Sequence, residues 1–135
     1  MAKRISDIEG IGAKTSVSLR KAGVRNVDDL LDTAGDKKGR ARLSKQTGIS
    51  ESVLLKYANM ADLFRIKGVA SQYAELLERT GVDTVKELKH RNSDNLTAAM
   101  QELNSKKNLV RRTPSAVVVK SWIEQAKRMP AKISH

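Results

Sequence analysis

The chain has 135 residues, with 26 Lys and Arg against 15 Asp and Glu and a formal charge of +11, enough for one domain or two very small ones. It contains no cysteine, which excludes disulfides and thiolate metal sites, and no apolar run is long enough to span a membrane. The basic excess suits an anionic partner, although a soluble protein whose lysines merely solvate it shows the same balance.

The first residues, "MAKRISDIEG", carry basic side chains with no apolar stretch behind them, so a secretory leader is not expected and a cytoplasmic location is. Next comes "IEGIGAKT" (8–15), with Gly10 and Gly12 just ahead of a helical run. This spacing predicts a sharp hairpin and a short helix, ended by Gly23 in a left-handed conformation. Asn26-x-x-Asp29 then starts a helix whose apolar face is Val27, Leu30 and Leu31. The segment "KKGRARLSK" (37–45) brings Lys37, Lys38, Arg40, Arg42 and Lys45 with no acid, either an extension of a phosphate-binding track or a solvated charge run, and Gly35 and Gly39 predict that it is partly loop. Leu43 belongs to a short helix closed by Gly48. Ser50 caps a longer one carrying Val53, Leu54, Tyr57, Met60, Ala61 and Phe64.

The opening pattern then returns. At a constant offset of 58, "IKGVASQYAELLERTGVDTVKEL" (66–88) repeats residues 8–30 with seven identities in 23 positions and no gap. Ile8, Gly10, Leu19, Gly23, Val24, Val27 and Leu30 match Ile66, Gly68, Leu77, Gly81, Val82, Val85 and Leu88. Thr84-x-x-Glu87 predicts a capping box, of which Asn26-x-x-Asp29 is a weaker version. Leu96, Ala99, Met100 and Leu103 predict a further helix, followed by a second basic cluster at Lys106, Lys107, Arg111 and Arg112. Thr113-Pro114 is expected to start the last helix, with Val118 and Trp122 on one face. Its "AVVVK" (116–120) is β-prone but is flanked by helical signals. The expectation is an all-α protein of two closely packed units, 1–65 and 66–135.

A Gly-x-Gly before a helix lets a phosphate approach unpaired backbone amides, and it also serves a plain packing turn; both readings stand. Lys14, just after the glycines, favours the phosphate at the first hairpin. The aromatic residues, Tyr57, Phe64, Tyr73 and Trp122, are too few for base stacking, so contacts are expected on backbone phosphates without base identity. His90 and His135 stand alone, no carboxylate cluster has metal-ligand spacing, and "GIGAKT" is too short for a nucleotide-binding P-loop. No enzyme activity and no cofactor are expected.

The segments "IEGIGAKTSVSLRKAGVRNVDDLLDTA" and "LSKQTGISESVLLKYANMADL" resemble a helix-hairpin-helix unit, particularly the N-terminal DNA-binding domain of RecA-type recombinases. With "ADLFRIKGVASQYAELLERTGVDTVKELKHRN", nearly the whole chain is similar to a bacterial family of tandem helix-hairpin-helix proteins known only as domains of unknown function. The resemblance implies two such units of SAM-like architecture, with phosphate-facing amides at Gly10, Ile11, Gly12 and Lys14. It also implies a monovalent cation at the carbonyls of Ser6, Ile8 and Ile11. In the second copy it implies Gly68, Ala70 and Gln72, beside Lys67, where Ala70 and Gln72 depart from the first copy's pattern. The expected partner is DNA, with RNA an alternative nucleic acid. A protein-interaction adaptor that uses the scaffold for packing alone is the other function class.

Overall fold

The computed structural model describes residues 4–134. Among the described residues the elements are a 3-10 turn Ile5–Asp7 and the helices α1 Ala13–Lys21, α2 Val27–Ala34, α3 Lys37–Thr47, α4 Glu51–Leu63, α5 Ser71–Arg79, α6 Val85–Leu88, α7 Ser93–Lys107 and α8 Ala116–Lys127. There is no strand among them, only an isolated bridge between Arg4 and Asn26. The all-α expectation holds.

The chain divides into two compact units. The first runs to Asp62 and takes back the chain from Lys132 onward; the second is Leu63–Ala131. A division after Arg65 would leave the tail in the second unit. It belongs to the first because the Ser134 amide donates to Gly35 O at 2.8 Å and Arg40 Nη2 donates to Ser134 O at 2.6 Å.

The 58-residue repeat is present bond by bond. Ile11 N–H donates to Ile8 O and Val69 N–H to Ile66 O, both at 3.1 Å. Val24 N–H donates to Leu19 O and Val82 N–H to Leu77 O, both at 2.9 Å. Gly10 and Gly68 have φ of +93° and +99°, and Gly23 and Gly81 have +90° and +98°, a region where a β-carbon is strained. Ile8, Ile11, Leu19, Val24, Val27 and Leu30 are buried, and so are their counterparts Ile66, Val69, Leu77, Val82, Val85 and Leu88. One apolar pattern therefore makes one local structure twice.

Several local expectations change. Residues 37–45 are helical rather than partly loop. Gly39 is needed there because a β-carbon would stand 1.8 Å from Thr33 O. The weaker cap is the more complete one: Asn26 Oδ1 accepts from Asp29 N–H at 2.8 Å while Asp29 Oδ2 accepts from Arg25 N–H at 3.1 Å. Thr84 Oγ1 accepts from Glu87 N–H at 3.2 Å. Ser115, not Thr113, caps α8, accepting from Val118 N–H at 3.3 Å. Val119, Trp122, Ile123 and Ala126 are buried on α8, while Val118 is 41% exposed.

Candidate nucleic-acid interface

Two helices start differently from the rest. Asn26, Asp36, Thr84, Asn92 and Ser115 accept hydrogen bonds from the first turns of α2, α3, α6, α7 and α8. Ser50 Oγ does the same for α4, accepting from Val53 N–H at 3.3 Å. The N-cap residues of α1 and α5 are Gly12 and Ala70, which have no side chain able to cap. These two positions are equivalent in the repeat. The amides of Ala13, Lys14 and Thr15, and those of Ser71, Gln72 and Tyr73, accordingly have no hydrogen-bond partner among the described residues. Each set of N–H groups points along a helix axis whose N-terminal end carries partial positive charge.

Access to the first set is unobstructed. Gly12 is exposed, and a β-carbon built on it would meet nothing within 4 Å. The hairpin behind it is held from inside its own unit: Tyr57 on α4 donates its hydroxyl to Gly10 O at 3.1 Å. The second hairpin is held differently. Gln125 on α8 accepts from Lys67 N–H at 2.8 Å and donates to Lys67 O at 3.1 Å. Trp122 fills the space a β-carbon on Gly68 would need, with Nε1 3.1 Å from that position.

The predicted cations fall into different environments. Lys14 is exposed beside the α1 amides. Ile11, by contrast, has a buried side chain and gives its amide to Ile8 O, so the structure removes it from the phosphate-facing set. Ile8 O, one of the carbonyls assigned to a cation, is thereby engaged. Arg40 is also removed. It is 3% exposed, and its guanidinium donates to Ala34 O at 3.0 Å, Gly35 O at 3.1 Å and Ser134 O at 2.6 Å. Lys37, Lys38, Arg42 and Lys45 remain exposed on α3. That helix packs on α2 and not closely on α1, so it does not simply continue the Lys14 site.

In the second unit the structure brings the hairpin and the basic cluster together. Tyr73, in the first turn of α5, donates its hydroxyl to Arg112 O at 3.1 Å. Asn104 fixes the same loop from the other side through both the N–H and the C=O of Val110, each at 3.0 Å. Arg111 and Arg112 are exposed on this tethered loop, and Lys67 is exposed on the hairpin. Lys107 is exposed at the end of α7, while Lys106 lies 3.6 Å from Glu102 as a surface pair. The tether thus sets the Arg112 backbone beside the first turn of α5, where Gln72 stands in place of Lys14.

The family model described as Domain of unknown function (DUF4332) matches residues 9–129. The chain belongs to that family. No curated protein and no solved structure matches it. The stretch matched to DUF4332 includes both uncapped helix starts and both basic clusters. Among the described residues of this DUF4332 chain, no group of three His, Cys, Asp or Glu side chains is placed to hold a metal ion, and no helix is long and apolar enough to cross a membrane. His135 lies outside the described residues.

Sequence reasoning gave no positioning role to Tyr73, Asn104 or Gln125, which hold the second unit's turn and basic loop. A tyrosine three residues after the alanine of the turn carries a usable signal, since its hydroxyl needs a partner when half-buried. Gln125 carries none, because a glutamine on a helix face reads as solvent-facing until its backbone partner is known.

Proposed function

We propose that the chain is a non-catalytic binder of nucleic acid, with DNA as its partner, built as two tandem helix-hairpin-helix units that present backbone amides to phosphates. One observation carries this reading: of the eight α-helices among the described residues, the two without a side-chain cap occupy equivalent places in the repeat. Elsewhere a capping side chain occupies the anion position; at these two sites it is left for an outside oxygen. Lys14 stands beside one set and Lys67, Arg111 and Arg112 near the other. Contacts of this kind recognise the sugar-phosphate backbone, so binding is sequence-independent and falls steeply with salt.

The test is a fluorescence-anisotropy titration of labelled duplex and single-stranded DNA at several KCl concentrations. The wild-type chain is expected to bind at low salt, with little difference between unrelated sequences. Gly12→Asp, which places a carboxylate where the phosphate sits, is expected to weaken binding at least tenfold, about 1.4 kcal/mol. Absence of binding at low salt, or an unchanged affinity in Gly12→Asp combined with Lys14→Gln, would overturn the reading.

A protein-interaction adaptor is the second reading. The observation favouring it is the apolar surface of α8, where Val117 is 80% and Val118 is 41% exposed. Replacing both with serine would then abolish partner capture while leaving DNA affinity unchanged.

A further inference from the structure

Helix α3 opposes helix electrostatics over its first turns, while Lys45 in its last turn suits the macrodipole. Lys37 and Lys38 occupy its first turn, where no acid is present and the macrodipole disfavours cations. Lys38, Arg42 and Lys45 then follow at i, i+4 and i+7, like charges that repel across successive turns. The helix sequence, KKGRARLSKQT, contains no acid to relieve them. Other helices do contain one: Arg79 pairs with Glu75 at 3.2 Å, and Lys127 with Glu124 at 3.6 Å. Lys38, Arg42 and Lys45 have no ion pair among the described residues, and together with Ala41 they line one shallow groove.

Of these three charges only Lys45, in the last turn, gains from the helix macrodipole. Arg40 alone turns inward and does structural work; the others form an outward stripe above a small side chain. A stripe of unpaired like charges of this kind attracts external anions. From Lys38 to Lys45 a helix advances about 10 Å. Measured along the axis of a duplex, that length takes in about three phosphates of one strand, at roughly 3.4 Å of axial rise each.

We infer that this face of α3 is a second docking surface for the phosphates of one nucleic-acid strand, separate from the hairpin amides. The inference rests on the nucleic-acid reading above and adds where a further part of the strand lies. Lys38, Arg42 and Lys45 each neutralise one phosphate, and Ala41 lets the strand approach the helix.

The test uses the full chain carrying Lys38→Gln, Arg42→Gln and Lys45→Gln together. A charge-matched control carries Lys21→Gln, Lys86→Gln and Lys120→Gln. Affinity for a labelled duplex is measured across a KCl series, and circular dichroism confirms that both variants remain helical. The slope of log affinity against log salt is expected to fall by about 2.7 in magnitude in the α3 variant, close to 0.9 per phosphate contact, and clearly less in the control. Equal slopes in the two variants would overturn the inference. If that happens while Gly12→Asp abolishes binding, the hairpin reading stands and the inference fails alone. If the α3 slope falls while Gly12→Asp binds normally, the inference stands and the hairpin reading fails. A wild-type chain that binds no duplex at low salt overturns both.

Discussion

Gly10 and Gly12 stand one residue apart and answer to different demands. Gly10 has φ +93°, and a β-carbon there would also press on the Tyr57 ring at 3.4 Å. Gly12 has an ordinary extended backbone, with φ −89° and ψ −172°, and its surroundings are empty. The second repeat shows that alanine suits this position, since Ala70 occupies it with φ −103° and ψ −179°. Gly10→Ala is therefore expected to destabilise the fold by about 1–2 kcal/mol, and Gly12→Ala to leave stability within about 0.5 kcal/mol of wild type. Paired urea melts separate the two outcomes. Arg40 is the other decisive residue: its planar fork serves three carbonyls that no shorter cation reaches together. Arg40→Met should lower stability by about 3 kcal/mol by taking the side-chain donor from Ala34 O and Ser134 O, and Arg40→Lys should recover only part of it.

At the scale of elements, helix starts separate the needs of the fold from the needs of a ligand. A side-chain cap normally contributes about 1 kcal/mol to a protein, so its absence at both α1 and α5 gives up stability at two places. Gly12→Asp is accordingly expected to raise the melting temperature while it weakens DNA binding. Opposite signs from one substitution would be hard to obtain from a purely structural glycine. The glycine turns, α1, α2, α5 and α6 were legible in the sequence because the repeat shows glycine and apolar positions twice over. Other features were not. "AVVVK" offers valines in two registers, and only packing decides that Val119, not Val118, is buried. Gly39 looked like a loop residue because glycine marks both flexibility and close approach; here Thr33 O makes it the latter. The Tyr73–Arg112 tether joins residues 39 apart through a backbone carbonyl, a group every residue carries, so no residue type announces it.

At the scale of the whole molecule, the first unit is not a contiguous stretch of chain. Deleting residues 132–135 removes the Ser134 acceptor and its amide from the junction of α2 and α3. The expected loss is about 2–3 kcal/mol, from one charge-assisted and one ordinary hydrogen bond. Hydrogen exchange should report it as faster opening of α2 and α3 with α7 unchanged. The buried guanidinium also bears on the order of assembly. A ribosome makes Arg40 94 residues before the serine whose carbonyl completes its coordination. While the second unit is being synthesised, the Arg40 guanidinium lacks one of its three acceptors. Closing that gap must wait until translation has passed through the second unit to Ser134, so the first unit is completed only after the second has been made.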